Sequence, residues 1–177
     1  MPSRVQATVE RRFAGARAAV VGDVLHAEVP IDDVWYQARL ALAPIARVAV
    51  ALPSTDGFEL LLRWNDRWAN RDGAPRAHSF DDGFLVETND LALAQVWLDP
   101  EVRAGLLASR YVPHQPARDR TAVLLRDARW VHEVSADEVS AHCVDLAPSS
   151  ERLGDLLAAT LTLASRPVRW ARALARV

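Results

Sequence analysis

The chain predicts an α+β fold: an antiparallel β-meander followed by a helix, a β-hairpin unit and a C-terminal helix. Three observations carry this. Valine-rich and alternating runs succeed one another from Ala18 to Leu62 with only short turn signals between them. Helix start signals stand before residues 91–109 and 151–165. Strands neighbour strands instead of alternating strictly with helices, which favours an antiparallel sheet over a parallel one.

At the N-terminus, Val5, Val9 and Phe13 recur at i, i+4 and i+8, fitting a short amphipathic helix from Ser3, although a strand fits almost as well. Ala18 to Val29 reads as strand, with Gly22-Asp23 as a bulge or turn. Pro30-Ile31-Asp32-Asp33 punctuates it, Val34 to Leu42 is a second strand and Arg47 to Leu52 a third. Ser54-Thr55-Asp56-Gly57 then lies between two apolar runs, and Asp-Gly in that setting predicts a hairpin joining Arg47–Leu52 to Phe58–Leu62, because Gly accepts positive φ.

Residues 65–80 change composition to Asn, Asp, Arg, Gly and Pro, which predicts a long loop. Phe84 to Glu87 is a short strand, and Thr88-Asn89-Asp90 supplies N-cap candidates for a helix from Leu91 to about Ser109. Asp99-Pro100-Glu101 is a second start signal inside it, so the segment is either kinked at Asp99 or two helices, with Trp97, Leu98, Val102, Leu106 and Leu107 buried. Ala122–Leu125 and Trp130–Val134 flank a polar turn and predict another hairpin; Val139 to Leu146 is a further strand. Pro148-Ser149-Ser150-Glu151 caps the last helix, whose buried face is Leu153, Leu156, Leu157, Leu161 and Ala164. With no repeat and no linker, residues 1–177 read as one domain.

Phe84-x-Val86-x-Thr88-x-Asp90, then Ala94, Leu98-x-Pro100 and Leu106-Leu107, resembles the signature of a family of uncharacterised bacterial proteins whose members have a soluble α+β domain, often after a membrane hairpin. The stretch runs from Phe84 to Leu107, and Leu93 replaces the glutamate usual in that pattern. The resemblance implies a fold neighbourhood and a bacterial origin, and no catalytic residue.

Composition excludes more chemistry than it suggests. All 21 basic residues are arginine, so Schiff-base, P-loop and kinase-type lysine chemistry is absent. The 7 glycines never fall as Gly-x-Gly, and a single cysteine, Cys143, cannot build an internal disulfide or a four-cysteine zinc site. No cofactor is expected. The formal net charge of −2 argues against nucleic acid. The N-terminus has no apolar secretory core and no segment approaches a membrane span, so a cytoplasmic location is expected.

Three clusters are candidates for function. If the chain reverses around Asp137, His132 and His142 stand directly opposite each other and could, with an outside acid, hold a metal or serve a hydrolase; the alternative is ordinary half-exposed sheet histidines. His26 and Glu28 share a solvated strand face. Trp64 and Trp68, at i and i+4 beside Arg63 and Arg67, either stack a ligand or partner or pack under the loop, whereas Trp35, Trp97 and Trp130 read as core. The tail from 166 to 177 carries Arg166, Arg169, Arg172 and Arg176 with Trp170, Leu174 and Val177 at i, i+4 and i+7. This basic amphipathic helix suits a protein groove or an anionic membrane surface, or else continues the terminal helix with Trp170 in the core. The expected function is a non-catalytic binding or scaffold domain acting through protein contacts or self-association. A metal-dependent or acid/base hydrolase at His132 and His142, and peripheral membrane binding through the tail, are the alternatives.

Overall fold

A computed structural model describes residues 2–42, 46–52, 57–64, 84–110, 130–135, 137–143 and 149–167. The open choice at the N-terminus resolves as helix: α1 spans Pro2–Arg12 and buries Val5 and Val9. The valine-rich run after Gly15 divides at Gly22-Asp23 into β1 (Arg17–Val21) and β2 (Val24–Ile31), with Gly22 at φ 60° making the turn. Asp32 and Asp33 join β2 to β3 (Val34–Ala41), both at positive φ (49° and 65°), so this two-residue turn is made by aspartates that tolerate the left-handed region better than most L residues. β4 covers Arg47–Ala51, β5 Leu60–Trp64, β6 Phe84–Thr88, β7 Trp130–Val134 and β8 Glu138–Cys143.

The eight strands form one antiparallel sheet in the order β1-β2-β3-β4-β8-β7-β5-β6. The α+β class is as expected, but one expected hairpin does not form. β4 does not pair with β5: the β7–β8 hairpin lies between them, with β4 on β8 and β5 on β7, and the Leu52 amide donating to the Asp137 carbonyl at 2.7 Å. β7 pairs with β5 and β8, and residues 122–125, expected to pair with it, lie outside the described residues. The sheet is therefore a four-strand meander joined to a non-sequential half.

α2 (Leu91–Trp97) and α3 (Pro100–Arg110) are two separate helices. Asp90 accepts from the Leu93 amide at 2.9 Å and Asp99 from the Val102 amide at 3.0 Å, so each helix has its own N-cap. α4 (Ser150–Ala164) is capped by Ser149. It buries all five residues expected of it and packs on β4 and β8, while α1 covers β1 and β2 and α3 lies against α4. At the α1–α4 crossing a Cβ on Gly154 would sit 3.3 Å from Thr8 Cγ2, so the missing side chain permits the approach. Arg11 with Glu151 and Arg12 with Asp155 tie the same two helices from outside.

The register gives each face a row running across all eight strands. On the helix-covered face Val20, Leu25, Leu40, Val48, Ala141, His132, Leu62 and Val86 follow one another. The other face carries Ala19, His26, Arg39, Ala49, Ser140, Glu133, Leu61 and Glu87 in the equivalent row. Trp35 belongs to this second face: it is 50% exposed with Arg17 Cζ 5.4 Å from its ring centroid, a correction to its expected core position. Trp97 is buried as expected, 5.3 Å from Phe58.

Candidate functional site

The hairpin expected to carry paired histidines is built one residue out of the expected register. The Ser135 amide donates to the Glu138 carbonyl at 2.9 Å, which closes the β7–β8 turn so that His132 faces Ala141 and His142 faces Val131. Side chains alternate along a strand, so the two imidazoles occupy opposite faces. The pairing that a shared metal or a hydrolytic dyad required is therefore absent. Among the described residues no group of three or more His, Cys, Asp or Glu side chains could hold a metal ion.

His132 is also not the half-exposed sheet histidine of the simpler expectation. It is 1% exposed, and among the described residues neither Nδ1 nor Nε2 has a hydrogen-bond partner. Burial, and then the like charge of His142, push its pKa down to about 4. Neutral imidazole is the form this site accepts: a cation there would lack the water and counter-charge that offset its desolvation.

The uncovered face is organised around Glu138. Arg39 Nη2 lies 3.0 Å from Glu138 Oε2, and Arg47 Nη2 2.5 Å from Oε1. Arg39 stands opposite Ala49, and Arg47 and Glu138 are displaced in opposite directions along their strands from the Ala49–Ser140 pair. To meet, these side chains reach over that pair, which accounts for a buried alanine and serine on a face no described helix covers. His26 and Glu28 lie on this face as expected, and Glu28 accepts from Gln37 at 2.9 Å.

At the β6 end the sheet presents a built edge. Thr88 Oγ1 donates to the Glu59 carbonyl at 2.8 Å, Asn89 Nδ2 to the Gly57 carbonyl at 2.8 Å, and Asn89 Oδ1 accepts from the Glu59 amide at 3.0 Å. These bonds lock the end of β6 to the approach of β5, and the next residue, Asp90, caps α2. Beyond β6 no other described strand follows. Leu85 on one face and Val86 on the other are 48% and 40% exposed, and α2 adds exposed Leu91 and Val96. A cleft of about 470 Å³ opens here, lined by Glu59, Leu61, Glu87, Asn89, Glu133 and Ser135 among others. The opposite edge differs. There α1 lies against β1, and Gln6 Nε2 donates to the Ala18 carbonyl at 2.8 Å.

The β6 edge was not among the expected sites, although the sequence carries a signal for it. Leu85 and Val86 are consecutive apolar residues in a strand, so one of them must leave the core face. Of the expected partner-binding residues, Trp64 stands at a register position opposite Phe84 in β5. Arg166 is 13% exposed and ion-paired with Asp99 and Glu101, so its charge joins the end of α4 to the start of α3 instead of facing outward. Trp68, Arg169, Trp170, Arg172 and Arg176 lie outside the described residues, as does the whole of the 65–80 loop. No helix among the described residues is long and apolar enough to cross a membrane.

No family model, no curated protein and no solved structure matches the chain.

Proposed function

We propose that this chain is a non-catalytic, cytoplasmic binding domain that engages a protein partner along edge strand β6. The observation that carries the reading is the exposure of apolar side chains on both faces of that strand, Leu85 on one and Val86 on the other. An edge strand presents backbone donors and acceptors to any extended segment laid beside it, and proteins ordinarily blunt such edges with charge, proline, a bulge or a covering element. β1 also exposes apolar side chains, Val20 and Val21, but has α1 against it, whereas β6 is the end strand among the described residues and has no described helix along its outer edge. The bonds from Thr88 and Asn89 hold β6 in place before any partner arrives, which lowers the ordering cost of binding.

The partner that fits is an extended segment, from another protein or a second copy, adding as a ninth strand. Backbone hydrogen bonds would supply affinity, and apolar side chains at neighbouring positions would meet Leu85 and Val86. The lone cysteine fits a reducing setting.

Selection of displayed extended peptides against the chain tests this. Peptides rich in alternating apolar residues should be recovered, and should bind the Val86→Lys variant at least tenfold more weakly while circular dichroism shows that variant folded. Selected peptides that bind parent and variant equally would refute the assignment to β6.

A further inference from the structure

We propose that His132 makes the seam between β7 and β5 acid-labile, so that a fall in pH releases the β5–β6 edge from the rest of the sheet. Among the described strands, β5 and β6 join the other six only through β7, by the ladder Leu60–Val134, Leu61–Glu133, Leu62–His132 and Arg63–Val131. His132 is the sole polar residue in the helix-covered row that crosses the sheet, and it stands at this seam.

Among the described residues, the groups around it give an imidazolium nothing to pair with. Across the seam β5 presents Leu62, with Leu60 in the next row; on the other side β8 presents Ala141, with Val139 in the next row. His142 of β8 and Glu133 of β7 belong to the opposite face, and the His142 charge opposes a second positive charge. Of the carboxylates on the described helices, Glu10 accepts from Gln6, Glu151 pairs with Arg11, Asp155 with Arg12, and Asp99 and Glu101 with Arg166. Arg103 Nε donates to the Leu98 carbonyl at 2.6 Å.

The sign follows from linkage. The folded value of about 4 lies below the 6.5 of an unconstrained histidine, so the opened state binds the proton more tightly. The stability conferred by neutral burial is therefore complete above 6.5 and is lost as pH falls from 6.5 towards 4. Between pH 7.5 and 5.0 this one group should lower the folding equilibrium constant by about 30-fold.

The test compares the full chain with His132→Leu and with the smaller His132→Val, which guards against a leucine that does not fit. Urea unfolding at pH 7.5 and 5.0 should show the parent losing about 30-fold more in folding equilibrium constant than either variant. Hydrogen exchange, corrected for the intrinsic pH dependence, should show the acid-induced loss of protection concentrated in residues 60–64 and 84–88, and spared in 24–41. Parallel pH profiles for parent and folded variants would overturn the role of His132. Loss of protection equally across all strands would overturn the seam.

Discussion

His132 stands directly opposite Ala141, one position short of His142, and that single step sends the two imidazoles to opposite faces of the sheet. A shared metal ion would need both rings on one face. Isothermal titration with Zn²⁺ or Ni²⁺ should therefore give the same isotherm for the parent and for the folded His132→Ala/His142→Ala variant. A site lost in the double variant would restore the metal-hydrolase alternative.

The same burial makes His132 costly at neutral pH. A buried polar group without a hydrogen bond typically costs about 1–3 kcal/mol, and leucine removes the polar atoms while keeping an apolar body. His132→Leu should raise thermal stability by about 1–2 kcal/mol at pH 7.5, read from denaturant midpoints. A loss of more than about 1 kcal/mol would show that the imidazole makes a favourable interaction this account lacks.

Asp99 does two things at once: Oδ1 accepts from the Val102 amide at 3.0 Å, and Oδ2 is the atom that pairs with Arg166. Asp90 caps α2 and makes no ion pair among the described residues. Asp90→Ala should cost about 1 kcal/mol, the usual worth of a cap. Asp99→Ala should cost more, and a double-mutant cycle with Arg166→Ala should give a coupling of about 0.5–2 kcal/mol, because Arg166 is mostly buried. Equal costs and no coupling would mean the ion pair contributes nothing.

Two helical glycines should respond in opposite ways. At Gly105 an added Cβ meets, among the described residues, only Thr162 Cγ2 at an ordinary 3.9 Å, so Gly105→Ala should stabilise by about 1 kcal/mol through helix propensity. At Gly154 the Cβ position already lies 3.3 Å from Thr8 and 3.4 Å from Arg12, and a branched side chain must push α1 away from α4. Gly154→Val should destabilise by about 2 kcal/mol or more, measured by urea unfolding. Similar effects at both sites would contradict the close crossing at Gly154.

These residues also show how far the sequence could be read. The caps at Asp90, Asp99 and Ser149 and the buried leucines of α4 are local signals, set by neighbours three or four positions away, and they match the structure. The strand order is not local. Asp56-Gly57 between apolar runs carries a hairpin signal, but nothing in those residues reports that β7 and β8, more than seventy positions later, supply each of β4 and β5 with a better neighbour. The histidines fail on a finer point. Reversal around Asp137 and the observed Ser135–Glu138 closure differ by one residue, and with a two-residue period one residue exchanges the faces. Trp35 is not legible as exposed from its neighbours, because what holds it on the open face is Arg17 of another strand, not a local signal.

The claim that β6 is the binding edge is tested most directly by hydrogen exchange on the chain alone and with a saturating amount of a selected extended peptide. Slowed exchange is expected to be confined to Phe84–Thr88 and the adjoining start of α2, with Arg17–Val21 at the far edge unchanged. Protection at β1 instead, or binding that leaves β6 exchange unaltered, would contradict it.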